Sequence, residues 1–278
     1  MTDQPNAAQI DYWNDAAGQT WARLQELLDH QIAPLGRRAM AALAPAEGEA
    51  VVDVGCGCGE TTLELAKAVG PRGRVLGLDI SRPMLEVAER RLAGVGQAEV
   101  READAQVADL GAGTWDAVFS RFGVMFFADP AAAFANLARA LRPGGRVAFV
   151  CWRPLTENSW MTIPLGAALT VVPPQPPSDP LAPGPFAFAD PDRVRGILSG
   201  AGFEGVEIVP HDQKIGARTL EDALVLAQKV GPSALLLREN PDAREAIVAA
   251  QREALTPLAT PEGVLFDSAT WIVTARKA

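Results

Sequence analysis

Residues 51–62 read Val51-Val52-Asp53-Val54-Gly55-Cys56-Gly57-Cys58-Gly59-Glu60-Thr61-Thr62. A short valine-rich run is followed at once by three alternating glycines, and then by polar residues suited to a helix start. The run has the nearly continuous apolar character of a strand covered on both faces. Glycines at such a strand end let the chain turn sharply and bring a ligand against the main chain. The stretch predicts a strand, a tight loop and a helix, with a ligand site at the carboxyl end of the strand.

Outward from this loop the same alternation continues. Strand-like runs occupy residues 50–54, 74–79, 98–104, 115–120 and 146–152. Ser81 is placed to cap a helix carrying Pro83, Met84, Leu85, Val87 and Leu92, and Asp129-Pro130 starts another that Arg142-Pro143-Gly144-Gly145 stops. Repeated β-α units of this length predict an α/β fold with a parallel sheet and right-handed crossovers. Residues 154–191 hold 10 of the 22 prolines, including Pro-Pro-Gln-Pro-Pro at 173–177, and predict an extended excursion over the surface. Asp190-Pro191 begins a further helix. Strands are expected at 205–210 and 271–276, separated by a helix-rich insertion at about 220–255. In front of the first strand, Ile10, Trp13, Ala17, Trp21, Leu24 and Leu28 recur every three or four residues, the mark of an amphipathic helix.

Charge and cysteine usage narrow the function. Acids outnumber bases 34 to 25, giving a net charge of −9, and no run of lysines and arginines offers a local basic patch. Nucleic acid is disfavoured as a partner. Three cysteines cannot all pair, and a bridge from Cys56 to Cys58 would be badly strained, so reduced thiols and a cytoplasmic location are expected. No Cys or His cluster accompanies those two thiols to complete a zinc site, and no metal is expected. The N-terminal stretch lacks a basic leader with an apolar core, and no apolar run approaches the ~20 residues needed to span a bilayer. Neither secretion nor a membrane partner is expected.

The strand ends name the ligand's chemistry. Asp79 closes the second strand 20 residues after Gly59, where a carboxylate meets ribose hydroxyls, and Asp104 closes the third, where an acid meets the exocyclic amine of adenine. A dinucleotide calls for G-x-G-x-x-G and a helix start that tolerates a pyrophosphate. Here the register is G-x-G-x-G, with Glu60 at the helix start and Asp53 just before the glycines. These acids suit a cofactor bearing an ammonium and a sulfonium, which is S-adenosylmethionine.

Asp53-Val54-Gly55-Cys56-Gly57-Cys58-Gly59, Leu78-Asp79-Ile80-Ser81, Ala103-Asp104-Ala105 and Leu141-Arg142-Pro143-Gly144-Gly145-Arg146 resemble the successive motifs of class I S-adenosylmethionine-dependent methyltransferases, in particular bacterial small-molecule members. The resemblance covers roughly residues 45–152. It implies a Rossmann-like sheet of seven strands, order 3-2-1-4-5-7-6 with strand 7 antiparallel, and helices on both faces. It implies that Gly55, Gly57 and Gly59 wrap the methionine part of the cofactor, Asp79 the ribose, and Asp104 with Ala105 the adenine. Asp53, Cys56, Ile80 and Met84 belong to the same cofactor-binding set. Ser120, Arg121 and Phe122 would line the methyl-transfer site. The Asn/Asp-Pro-Pro-Tyr/Phe signature of DNA and protein-glutamine methylating members is missing.

In the same resemblance residues 1–45 form an N-terminal helical lid with Tyr12 facing the cofactor. Residues 46–278 form the methyltransferase domain, with cap insertions at about 153–189 and 218–260. Arg121, Phe122, Trp152, Asn158 and Trp160 are the expected substrate residues, with Phe186 and Phe188 nearby. His30 and His211 are the only histidines, and neither is assigned as a base. The expected function is methyl transfer to an O, N or C atom of a small aromatic or amphipathic metabolite. The alternatives are a protein that binds the cofactor without transferring methyl, a nucleic-acid or protein methyltransferase, and, last, a dehydrogenase.

Overall fold

The structure is a computed structural model that describes residues 5–176 and 179–278. Met1–Gln4 and Pro177 of the proline cluster lie outside the described residues. Three helices come first, α1 (Ala7–Asn14), α2 (Ala16–Arg23) and α3 (Gln25–Leu43). There follow β1 (Ala50–Val54), α4 (Glu60–Val69), β2 (Arg74–Asp79), α5 (Arg82–Arg91), β3 (Ala98–Glu102), β4 (Trp115–Arg121), α6 (Pro130–Ala140) and β5 (Leu141–Trp152). The remainder is α7 (Ser159–Leu169), α8 (Pro191–Gly200), β6 (Phe203–Ala217), α9 (Leu220–Lys229), α10 (Pro232–Glu239), α11 (Arg244–Leu255), β7 (Ala259–Thr260) and β8 (Gly263–Lys277).

The sheet runs β3-β2-β1-β4-β5-β8-β6, and β7 is a two-residue bridge on β8. Set β7 aside and this is the expected seven-strand order. Strands β1 to β5 pair in parallel, while β8 runs antiparallel to both β5 and β6. The central strands are apolar on both faces because helices cover both. Phe119, Phe134 and Phe149 are fully enclosed between sheet and helices. The first strand, its glycine loop and the ends of β2 and β4 are thereby held on a rigid rim.

Several expectations change. The single amphipathic helix is three helices, because the chain leaves helical geometry at Asp15 and again at Leu24. The excursion at 154–191 begins with a regular helix, α7, which tolerates Pro164 within it. Ser81 does not cap α5 with its side chain; its hydroxyl donates to the Trp13 carbonyl at 2.7 Å and so ties α1 to the sheet rim. Asp129 and Asp190 do cap their helices, accepting from the backbone of Ala132 and Asp192.

The last two long strands exceed the predicted segments by more than half. Their ladder runs from Phe203 opposite Lys277 to Ala217 opposite Val264, whereas β5 stops pairing with β8 at Trp152 opposite Thr270. Beyond that point the two strands form a ribbon projecting past the sheet. Its residues His211-Asp212-Gln213-Lys214 carry no apolar run, so sequence pattern alone reads them as loop. At the tip the strands come so close that a Cβ on Gly216 would fall 1.9 Å from the Val264 carbonyl oxygen.

Between the ribbon's two arms lie α9, α10 and α11. They pack on α3 through Leu28, Leu224, Leu226, Leu255 and Phe266, and on α7 through Ala168, Leu236, Leu237 and Ile247. The two segments expected to be cap insertions thus pack on each other.

Candidate functional site

Gly55 and Cys56 both donate their backbone N–H groups to the Leu78 carbonyl, at 2.8 and 3.0 Å, which folds the loop onto the end of β2. Gly55 has φ +70°, and a Cβ there would lie 2.6 Å from the Cα of Gly123 in the loop after β4. A side chain would therefore suffer both backbone strain and a backbone collision. Gly57 N–H donates to Asp79 Oδ2 at 2.8 Å, and Ser81 N–H to Asp79 Oδ1 at 2.9 Å. Asp79 thus shapes the glycine loop while standing at its mouth. Burial pushes its carboxyl above the usual aspartate range, and the backbone donors of Ser81 and Gly57 partly offset this.

Asp104 accepts from Gln106 N–H through Oδ1 at 2.9 Å, and its carboxylate is half-buried beside the Asn6 side chain. Burial raises its pKa also. Beside it, the Ala105 carbonyl accepts from Asn136 Nδ2 at 2.9 Å, which fixes the backbone at that position. A carboxylate two residues past the third strand is fitted to accept from an amine donor.

Asp53 does not face the loop's open side. Fully buried, it accepts through Oδ2 from the hydroxyls of Thr61 and Thr62, at 2.7 Å each, and joins β1 to the first turn of α4. Desolvation pushes its pKa up to about 6, against those two hydrogen bonds. An acid raised in this way stabilises the fold below its unfolded pKa, and the contribution is lost as pH rises through about 6. Glu49, held below its usual range by hydrogen bonding to Arg146, has the opposite sign and loses its contribution on acidification. In urea titrations at pH 4.5, 5.5 and 6.5, Asp53→Asn is expected to gain on the native chain as pH rises, by on the order of 2–3 kcal/mol in all. A constant difference across the three would remove the buried charge from the account.

Arg121 is not free for substrate. Its guanidinium pairs with Glu60 and, at 3.1 Å, with Asp29 of α3, which also holds Arg91 at 2.8 Å. Glu60 is therefore engaged rather than presented to the loop, and its share in excluding a diphosphate is smaller than the sequence suggests. Burial raises its pKa against the pull of Arg121. Ser120 Oγ donates to the Val54 carbonyl at 2.7 Å and accepts from Gly123 N–H at 3.1 Å, locking β4 to β1. Asn158 is fully buried; it accepts from Ala269 N–H at 3.0 Å and donates to the carbonyls of Arg153, Pro154 and Ala269. Both side chains are committed to backbone.

The aromatic expectations divide. Phe122, at φ +62°, stacks on Trp152 with 4.2 Å between ring centroids, and Trp152 meets Trp160 at 5.2 Å. These three form a continuous run from the end of β4 to α7. Phe188 instead sits in the core against Phe134 and Phe149. Tyr12 is 46% exposed, while its neighbour Trp13 is buried with Cys58 and Met84, flanked by Trp21, Ile80 and Phe126. The stripe Trp13–Ala17–Trp21 already marked the buried face, and Tyr12 lies off it.

Cys56 and Cys58 are buried free thiols. Burial pushes Cys58 up to about 12 and Cys56 well above its ordinary value, so both are neutral and unreactive near pH 7. His30 is exposed on α3, and His211 pairs with Gln213 on β6. The sequence reading missed Asn14, whose amide donates to the Ile80 carbonyl at 2.7 Å and accepts from Arg82 N–H at 2.8 Å. It also missed Asp29 and Gln31, which no local pattern distinguishes from other polar helix residues.

Comparison with known proteins agrees with this geometry. Residues 51–145 match a methyltransferase domain family. The nocamycin O-methyltransferase of Saccharothrix syringae is 31% identical over 78% of this chain and 81% of its own. The aklanonic acid methyltransferase of Streptomyces sp. (strain C5) is 32% identical over 54% of this chain and 67% of its own. In fold, the chain resembles the Haemonchus contortus phosphoethanolamine N-methyltransferase 2 solved with S-adenosyl-L-methionine, with TM-score 0.58, 17% identity, and coverage of 96% of this chain and 59% of that one.

The chain belongs to the class I S-adenosylmethionine-dependent methyltransferases. Its cofactor is S-adenosylmethionine, and the carboxylates of Asp104 and Asp79 and the glycine loop fit that ligand. Among the described residues no helix is long and apolar enough to cross a membrane.

Proposed function

We propose that this methyltransferase acts on an oxygen atom of a small, neutral aromatic or amphipathic metabolite. The observation that carries the reading is the aromatic run Phe122–Trp152–Trp160, which leads from the rim beside the glycine loop toward the helices of the ribbon. Flat rings of this kind offer large apolar area and stacking faces to a planar acceptor. Relatives whose names print an acceptor, among them nocamycin, aklanonic acid and demethylmenaquinone, support a small-molecule substrate.

In this reading Asp79 holds the ribose, Asp104 and Ala105 the adenine edge, and Gly55, Gly57 and Gly59 leave the main chain open to the methionine part. Bound S-adenosylmethionine supplies an electrophilic methyl on a sulfonium. The chain's own part is orientation and exclusion of water. Helices α1 and α2 serve as the lid, pinned to the rim by Asn14 and Ser81 with Trp13 facing inward, and α7 with α9–α11 serves as the cap. His30 is exposed and His211 pairs with Gln213, neither is taken as a base, and the rate is set by alignment, which is worth ~7–11 kcal/mol when reactants are fully positioned.

The test is release of S-adenosylhomocysteine from S-adenosylmethionine with three acceptor groups: hydroxylated naphthalenes and anthraquinones, phosphoethanolamine, and transfer RNA. Turnover confined to the hydroxylated aromatics is expected. Preference for phosphoethanolamine or RNA would overturn the reading.

A further inference from the structure

Where α3, α7 and the ribbon helices meet, the chain forms a narrow, partly open cavity of about 10 Å³, walled by Trp160, Met161, Leu226 and Phe266, with Gln31 on its polar side. Trp160 Nε1 and Gln31 Oε1 are both buried without a hydrogen-bond partner. The first is an obligate donor and the second an acceptor, so one hydroxyl group satisfies both. The space is that of about one oxygen atom with its hydrogen. No Asp, Glu, Lys or Arg lines it. Trp160 is also the far end of the aromatic run that begins at Phe122.

We infer that this cavity is an anchoring subsite for a distal hydroxyl of a neutral aromatic acceptor, held between the Trp160 indole and the Gln31 amide; the inference rests on the aromatic-acceptor reading above. The anchored hydroxyl is not the one methylated: the cavity lies at the Trp160 end of the aromatic run and the glycine loop at its Phe122 end. Its work is selection. A hydroxyl satisfies two groups that are otherwise buried bare, an unsubstituted ring leaves them so, and a carboxylate meets no cation.

Calorimetric titration of the full-length protein with 2-naphthol, naphthalene and 2-naphthoate, alongside S-adenosylhomocysteine, tests it. On the native chain 2-naphthol is expected to bind about tenfold more tightly than naphthalene, the size of one net hydrogen bond, with 2-naphthoate weakest. Gln31→Leu and Trp160→Phe should each erase that advantage and leave S-adenosylhomocysteine affinity unchanged, which also shows that each variant is folded. Equal binding of 2-naphthol and naphthalene to the native chain, a comparison that needs no variant, would mean that the cavity holds solvent only and would overturn the subsite. An advantage that survives in both variants would overturn it as well. If S-adenosylhomocysteine binds but no naphthalene compound does, the aromatic-acceptor reading falls and the subsite with it.

Discussion

Asp79→Ala is expected to weaken S-adenosylhomocysteine binding by about 100-fold or more and to lower the unfolding midpoint by several degrees. The affinity figure is that of two hydrogen bonds from ribose hydroxyls to an ionised acceptor, each ~1.5–3 kcal/mol. The stability loss has a separate origin. Truncation removes the acceptor of both Gly57 N–H and Ser81 N–H, so the glycine loop loses the contact that shapes it. Sequence alone places Asp79 at the ribose and gives no reason for the fold to suffer. Asp79→Asn separates the two effects: it keeps an acceptor oxygen for one backbone N–H and should recover much of the stability while affinity stays low. Calorimetry with a thermal melt on each variant decides. Unchanged affinity in Asp79→Ala would remove the residue from the ribose site.

The second large effect is expected from Arg121→Ala, a loss of ~3–5 kcal/mol in folding stability, because breaking a buried ion pair strands the remaining charges. Here Glu60 at the start of α4 is left with only Arg37 at 3.9 Å, while Asp29 on α3 keeps Arg91. Without the guanidinium the folded-state pKa of Glu60, already raised by burial, rises further. Acids shifted in that direction destabilise most when ionised, so the deficit should be largest at pH 8 and smaller at pH 5. Urea denaturation at both pH values reads this directly. If Arg121→Ala folded as stably as the native chain but lost affinity for the acceptor, Arg121 would be restored to the substrate site.

The contrast between these two residues shows what the sequence could and could not carry. The strands β1, β2 and β4 and the glycine loop were legible because their signal is local: an apolar run, a turn that needs glycine, and an acid at a fixed distance along the chain. Arg121, Ser120 and Asn158 were legible as positions near strand ends, but not as side chains bonded to distant parts of the chain. Their partners lie 92, 66 and 111 residues away in sequence, at Asp29, Val54 and Ala269. The ribbon half of β6 was invisible for a related reason. The ribbon's buried face is carried mostly by Val264 and Phe266 of β8 and by Ile215 and Ala217 at the end of β6, so the polar residues 211–214 of β6 follow no apolar period.

That ribbon also marks a boundary within the chain. Because Ala217 and Val264 pair at its tip, everything between them enters and leaves the fold at adjacent points. A segment closed at its base in this way can lengthen or shorten cheaply, since closure entropy grows only with the logarithm of its length. Helices α9–α11 can therefore change in length without displacing the glycine loop or the strand end that carries Asp79. The rim that holds the cofactor and this helical segment are separable parts of the chain.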